Sequence, residues 1–321
     1  MKKIVFIFAV LVSLASTLFS QEVNISFENK VSSDIIVLEE DGTSFPGIEE
    51  KVTAEFETEK IDAGVSLITT LSTNENDILG FNDYFIDKAY IVFKPIDTLR
   101  ISFNNNIFTE GSYLPVWDDN ISNGNLSNSF AVLYEPLENL VLSTGLSLPS
   151  LFTDDLENKI DFNAGIDYST DFLSAGVTIR SLLTDFGFGI FGSFIGVPNL
   201  TINAGFSYND DFNEHEGNLV SLGCTYDFSN FTISFDHVTV FNNDQNHMYN
   251  AILIESSPLE NLTFEAQEII NLNLQDSDDF ESITDIGLVY SYGNHNLRCG
   301  AALSIYQGIA ISFPVYYKYS F

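Results

Sequence analysis

The feature that most limits what this chain can fold into is an alternation of period two that runs to its last residue. In GIAISFPVYYKYSF (308–321), Ile309, Ile311, Phe313, Val315, Tyr317, Tyr319 and Phe321 occupy every second position, with Ala310, Ser312, Lys318 and Ser320 among the residues between. Successive side chains of a β-strand point to opposite faces, so one face is apolar and the other polar. The pattern recurs in TLRISFNNNIF (98–108), KIDFNAGIDY (159–168) and NLTINAGFSY (199–208). Such runs lie near 22–29, 50–58, 61–72, 88–95, 98–108, 127–135, 139–148, 159–168, 172–182, 185–196, 199–208, 218–228, 230–240, 247–256, 260–269, 282–292, 296–306 and 308–321. They number eighteen, with sixteen as the other count the runs allow.

Turn-forming stretches punctuate the runs: PIDTL (95–99), PLENL (136–140), STDFL (169–173), VPNL (197–200), FSNF (228–231), PLENL (258–262) and GNHNL (293–297). They recur about every 33 residues, so each interval holds two strands, one tight turn and one further connection. Most of these further connections are longer, polar and acidic (73–87, 109–126, 149–158, 209–217, 241–246, 270–281), whereas 183–185 and 307–308 are tight. Short turns at one end and longer loops at the other describe an up-and-down meander. Residues 30–49 then form a long outer loop, in which the apolar IIVL (35–38) has no assigned place.

Charges decide which solvent each face meets. Glu28, Lys51, Glu55, Glu57, Asp62, Arg100, Asp161, Asp167, Arg180, Asp227, Asp236, Glu265, Asp285, Arg298 and Lys318 all fall on the polar face. The opposite face is apolar or aromatic, with Glu255 and Glu268, read as near strand ends, and His237 as the exceptions. A soluble sandwich or solenoid also hides one face of each strand, but so many strands at one hairpin period, without Greek-key crossings, suit it poorly. In hydrocarbon every backbone polar group must pair within the protein, so strands of about ten residues close into a barrel, apolar side chains toward lipid and polar ones toward the lumen. The expected fold is all-β: a transmembrane up-and-down antiparallel β-barrel.

Composition narrows the partners. With 45 Asp plus Glu against 12 Lys plus Arg, the chain is a poor match for nucleic acid, whose phosphates are bound by Lys and Arg. Apolar residues make up 45% and are spread along the whole length, which excludes a disordered acidic chain. The start, MKKIVFIFAVLVSLASTLFSQ, joins Lys2 and Lys3 to an apolar run from Ile4 to Val12 and then to small and polar residues. This is the form of a secretory signal peptide, with a retained membrane helix as the competing reading. Residues 1–20 are read as the signal peptide for Sec-type export and 21–321 as the barrel, with cleavage after Ser20 or after Ala15.

A signal peptide, hairpins of about ten residues per strand and a terminal Tyr319-Ser320-Phe321 after Ile311, Phe313, Val315 and Tyr317 together resemble the single-chain, porin-like outer-membrane β-barrels of diderm bacteria. The resemblance covers nearly the whole mature chain. It implies residence in the bacterial outer membrane, surrounded by its lipid, and reading of Tyr319 and Phe321 by the barrel-assembly machinery. Two departures stand out: Tyr316 replaces a frequent Gly, and Pro314 removes a ladder donor, for which a local bulge is expected.

Catalytic signals are weak. His215, His237, His247 and His295 are scattered, the EHE at 214–216 lacks zinc-site spacing, and Ser234 and His237, three apart, point to opposite faces. The acidic DSDDFES (276–282) and DDLE (154–157) lack the spacing of an EF-hand and read as solvated loops, with Ca²⁺ as the alternative ligand. No enzyme activity, cofactor or metal is expected. Six Asn-x-Ser/Thr sequons occur, but Asn199, Asn230 and Asn261 are turn residues leading into strands.

The candidate channel-lining residues are Arg100, Arg180, Arg298, Asp161, Asp167, Asp236, Glu265 and Asp285. Their acidic excess should favour cations, and Arg opposed to carboxylates is how general porins shape a constriction. Structural pairing within the wall is the competing role. The segment 109–126, which carries Trp117, either enters the lumen or stays outside. The expected function is a channel for passive diffusion of small hydrophilic solutes, as a monomer or an oligomer. The alternatives are an adhesin or structural barrel binding host or envelope components through its acidic loops and, more narrowly, a transporter of apolar solutes.

Overall fold

The structure is a computed structural model that describes residues 23–33, 46–73, 79–103, 112–117, 119–121, 130–147, 160–212, 215–242, 246–275, 280–306 and 309–320. The signal-peptide residues 1–20, the IIVL patch and Phe321 lie outside the described residues. The first strands are β1 (Val23–Ser33), β2 (Pro46–Glu57), β3 (Ile61–Thr73), β4 (Leu79–Ile96), β5 (Leu99–Phe103), β6 (Ser112–Leu114) and β7 (Asp119–Ile121). Next come β8 (Phe130–Leu137), β9 (Leu140–Ser147), β10 (Asp161–Ser169), β11 (Leu173–Arg180), β12 (Gly187–Val197), β13 (Leu200–Phe212) and β14 (His215–Asp227). The chain ends with β15 (Phe231–Phe241), β16 (Asn246–Leu259), β17 (Leu262–Asn273), β18 (Phe280–Tyr292), β19 (His295–Ile305), β20 (Ile309–Ser312) and β21 (Val315–Ser320).

Nineteen of these strands form one sheet, each hydrogen-bonded antiparallel to its neighbours in chain order. β20 and β21 both pair with β19 in one continuous register and are two halves of one stave, so the sheet has eighteen staves. It closes on itself through β1 and β21, from Glu28 opposite Ser320 to Ser33 opposite Val315. The turns joining β4–β5, β8–β9, β10–β11, β12–β13, β14–β15, β16–β17 and β18–β19 all fall at one end of the barrel. The separate β6–β7 hairpin belongs to the longest connection at the other end, where β13 and β14 are nevertheless joined tightly, Phe212 opposing His215, in place of the longer loop expected over 209–217.

Burial follows the alternation. Ile190, Phe206, Val220, Leu222, Ile252, Ile286 and Leu288 are exposed on the outer surface, while Gly189, Ser207, Ser221 and Gly287 face inward. Aromatic rings gather toward both ends of the outer wall: Tyr226, Phe228 and Phe231 beside a short turn, and Phe186, Phe188 and Tyr208 near the loop end. An apolar exterior between two aromatic girdles suits a bilayer.

Prolines mark where the ladder lacks a donor. At three short turns the strand running into the turn carries one extra residue in its register, and the shifted intervals contain Pro95, Pro136 and Pro258. A fourth turn has the same shift between Phe194 and Val197 without a proline. Pro314 behaves differently from the bulge expected. Ser312 opposes Ala302 and Val315 opposes Cys299, so the register crosses the gap unchanged. Gly300 N–H still donates to Pro314 O at 3.0 Å, and only the bond the proline cannot donate is lost.

Two further readings change. Glu255 lies opposite Thr232 and Glu265, which puts it on the luminal face rather than the apolar one. Glu268 does face outward, but in the middle of β17 rather than near a strand end.

Cys224 and Cys299 are free and sit outward on β14 and β19. Five strand spacings of about 4.8 Å separate them along the wall, well beyond disulfide reach. In native membranes both are expected to be free thiols by mass spectrometry after alkylation. An intramolecular disulfide would disprove the strand order.

Candidate functional site in the lumen

The inward faces build a wall of small and polar side chains on which a few long ones lie flat. Arg298 shows how. Its Nε donates to Glu265 Oε2 at 3.1 Å and its Nη2 to Asp285 Oδ2 at 2.8 Å, tying β17, β18 and β19 together. The guanidinium passes over Gly287, where an added Cβ would stand 2.8 Å from Arg298 Cζ. Glu255, opposite Glu265 on β16, adds a third carboxylate to the same region.

Arg180, at the loop end of β11, reaches across β12 to Asp210 on β13, its Nη1 2.5 Å from Asp210 Oδ1. Its Nη2 donates to the Tyr208 and Asn209 carbonyls at 3.3 and 3.4 Å, and the pair is buried. Here too a glycine, Gly187, leaves room for the crossing. Arg100 pairs more openly with Glu135 at 3.3 Å, and Lys94 pairs with Asp62 at 2.5 Å. Each arginine thus has a carboxylate partner, Glu135 and Asp210 among them, and those two the sequence could not single out.

The candidate aspartates have different surroundings. Asp161 accepts from Leu183 N–H at 3.0 Å and from the Thr184 hydroxyl, while Asn163 Oδ1 accepts from Ser181 N–H at 2.9 Å. Together they hold the tight turn between β11 and β12, in which Ser181 has a φ of 48°. Asp167 faces inward beside Gly176 and the ring of Phe191. Asp236 is fully buried beneath the segment between β5 and β8. Tyr319 pairs in register with Asn29 and His295 at the barrel seam.

That segment enters the lumen. Asp236 Oδ2 accepts from Val116 N–H at 2.6 Å and from Trp117 N–H at 3.1 Å. Gly223, next to Asp236 across the ladder, is required for this approach, because a Cβ there would lie 2.6 Å from Tyr113 O and 2.8 Å from Pro115 Cδ. Leu114 is buried in a cluster with the inward-facing Leu219, Val238, Val240 and Tyr249, flanked by Trp117 and Phe212. Trp117 meets Phe212 edge to face at 5.2 Å, and Phe212 meets Tyr249 in the same way at 5.2 Å. His215 and His247 stack at 3.6 Å beside Tyr249.

The placement matters as much as the contacts. β6 rests on β12, β13 and β14, and β14 lies seven staves from β5 in the eighteen-stave ring. The segment therefore leaves one wall and docks on nearly the opposite one. A signal for its dock was present in the sequence: Leu219, Val238, Val240 and Tyr249 place apolar side chains on the polar faces of three consecutive strands.

No family model matches the chain, and no curated protein matches it by sequence. Solved structures do match. A porin of Rhodopseudomonas blastica, solved as a triple mutant, aligns over 94% of this chain and 100% of its own with a TM-score of 0.53 and 12% identity. OccD1 (OprD), solved as a double mutant, aligns over 94% of this chain and 96% of its own with a TM-score of 0.61 and 14% identity. OccAB4 of Acinetobacter baumannii aligns over 94% and 98% with a TM-score of 0.61 and 9% identity. These likenesses establish that this fold is that of the porin and Occ barrels.

Removing the Asp236 carboxylate eliminates two hydrogen bonds to a charged acceptor, which together hold the segment by about 3–6 kcal/mol. Asp236→Ala and Gly223→Val are each expected to loosen the segment, raising single-channel conductance and current noise in planar bilayers. The barrels should still migrate heat-modifiably in gels. Unchanged conductance and noise in both folded variants would mean that the segment does not narrow the lumen.

Proposed function

We propose that this protein is a channel of the bacterial outer membrane, passing small hydrophilic solutes by passive diffusion with a preference for cations. The observation that carries the reading is the segment crossing a polar lumen inside an exterior built for lipid. A barrel meant only to anchor loops has no use for a tethered strap across its interior. A strap docked on the far wall leaves solutes a passage set by its free edge and the charged wall beside it.

The fixed charges set the sign of the preference. Arg298 pairs with Glu265 and Asp285, Glu255 lies opposite Glu265, and Arg100 and Arg180 each have a carboxylate partner. The arginines are thus neutralised and the acidic excess carries the field. In this reading Arg100, Arg298, Asp167, Glu265 and Asp285 line the passage. Arg180, Asp161 and Asp236 act chiefly as struts that hold the wall, a turn and the strap. Sec-type export, followed by recognition of Tyr319 and Phe321 by the assembly machinery, brings the chain to its membrane.

In a salt gradient the zero-current potential should have the sign of cation selectivity and decline as salt rises, because screening lengths shrink from about 10 Å at 0.1 M toward 3 Å at 1 M. Glu255→Gln should lower the cation-to-anion permeability ratio about twofold and Arg298→Gln should raise it by a similar factor, about 0.4 kcal/mol for a screened luminal charge. A barrel that conducts nothing, or prefers anions, would refute the reading.

A further inference from the structure

Among the described side chains, the outer wall carries one region that hydrocarbon does not suit. On the outward face of β15 and β16, His237 Nδ1 is 2.9 Å from Asn250 Oδ1, and Thr239 Oγ1 is 3.0 Å from His237 Nε2. On the outward face of β17 and β18, Ser282 Oγ donates to Glu268 Oε1 at 2.7 Å and Thr284 Oγ1 to Glu268 Oε2 at 2.5 Å. Registers make this one patch: Asn250 opposes Ile270, two residues along β17 from Glu268, and Ile270 opposes Ser282. Around it lie the exposed Leu222, Ile252, Ile254, Ile286 and Leu303.

Depth makes the patch costly. β15 and β17 both rise from short turns, and His237 and Glu268 each stand six residues beyond the first residue of their strand, Phe231 and Leu262. At about 3.4 Å per residue and about 40° of tilt this is roughly 16 Å from the turn end, well inside an apolar band about 25 Å tall. Glu216, another outward acid among the described side chains, is the second residue of β14, at the loop end. Polar and ionisable groups at mid-membrane depth belong against protein or water rather than lipid. Two hydroxyls satisfy lone pairs of Glu268 but bring no positive charge.

We propose that the outward face of β15–β18 is the interface with a second copy of this chain, related by a two-fold axis along the membrane normal that passes in front of β16. Geometry selects this occupant. His237 and Glu268 flank β16 on its two sides at one depth, so a rotation about that axis sets His237 of each copy against Glu268 of the other. Each hydrogen-bonded imidazole then stands against the carboxylate group of the other copy, so that both polar clusters face protein instead of lipid. Ile252 opposes both Phe235 on β15 and Glu268 on β17, so it lies at the axis and meets its own equivalent. The patch is self-complementary, as a two-fold contact requires.

The test is disulfide trapping in native outer membranes, in a background with Cys224 and Cys299 replaced by Ser. Ile252→Cys is expected to form a covalent dimer under mild oxidation, at least fivefold more than Leu142→Cys on the outward face of β9. Adding Glu268→Leu should lower the dimer yield at least fivefold while heat-modifiable migration shows the barrel still folded. The exchange His237→Glu with Glu268→His should restore the yield. Cross-links at Leu142→Cys as strong as at Ile252→Cys, capture of a different protein by Ile252→Cys, or a yield indifferent to Glu268→Leu would each overturn the proposal. So would native mass spectrometry giving a monomer or a trimer.

Discussion

Everything in this structure depends on the requirement that no backbone amide or carbonyl face hydrocarbon unpaired. A sheet open at β1 and β21 would present two rows of such groups, so the bonds from Glu28–Ser320 to Ser33–Val315 are what make the other staves admissible in a bilayer. The same requirement explains the prolines. Pro95, Pro136 and Pro258 sit in shifted intervals beside short turns, where the ladder is ending, Pro46 is the first residue of β2, and Pro314 sits in the closing stave with its carbonyl still bonded to Gly300. Closure also turns an amphipathic sheet into two unlike surfaces, an outer one selected by lipid and an inner one free to carry charge.

Inside, glycine and charge are used together. Gly187 and Gly287 lie under Arg180 and Arg298, and Gly223 lies under the strap. At each of these positions a missing Cβ lets a guanidinium or a backbone segment rest on the wall. Pairing with Asp210, Glu265 and Asp285 then keeps the long side chains flat instead of projecting across the lumen. The wall can thus hold much charge and still leave room in the bore for the segment that ends on Asp236.

That segment gives the barrel something resembling a core. An empty lumen has no hydrophobic centre, yet Leu114, Leu219, Val238, Val240 and Tyr249 form one where the strap meets β14, β15 and β16. A buried carboxylate accepting two main-chain N–H groups sets the register of the contact, and the apolar cluster supplies its area. In the proposed channel, permeation and folding are coupled at this spot, because the residues that would narrow the passage are the ones that tether the strap.

Alternation and turn spacing alone determined the all-β class, the antiparallel meander, the two solvent faces and the positions of the short turns, because period two and hairpin chemistry are local properties of consecutive residues. The inward parity of Arg100, Arg180, Arg298, Asp161, Asp167, Asp236, Glu265 and Asp285 was legible for the same reason. Their partners were not. Arg180 meets Asp210 two strands away, Asp161 holds a turn built from Ser181 to Thr184, and Asp236 meets residues 116 and 117 across the lumen. Those contacts depend on ring closure and on where a long connection lands, which local alternation does not encode. Apolar residues at 219, 238, 240 and 249 broke the polar face and pointed to a dock. Only the closed barrel showed what docks there, because only closure brings β5 and β14 to face each other across one lumen.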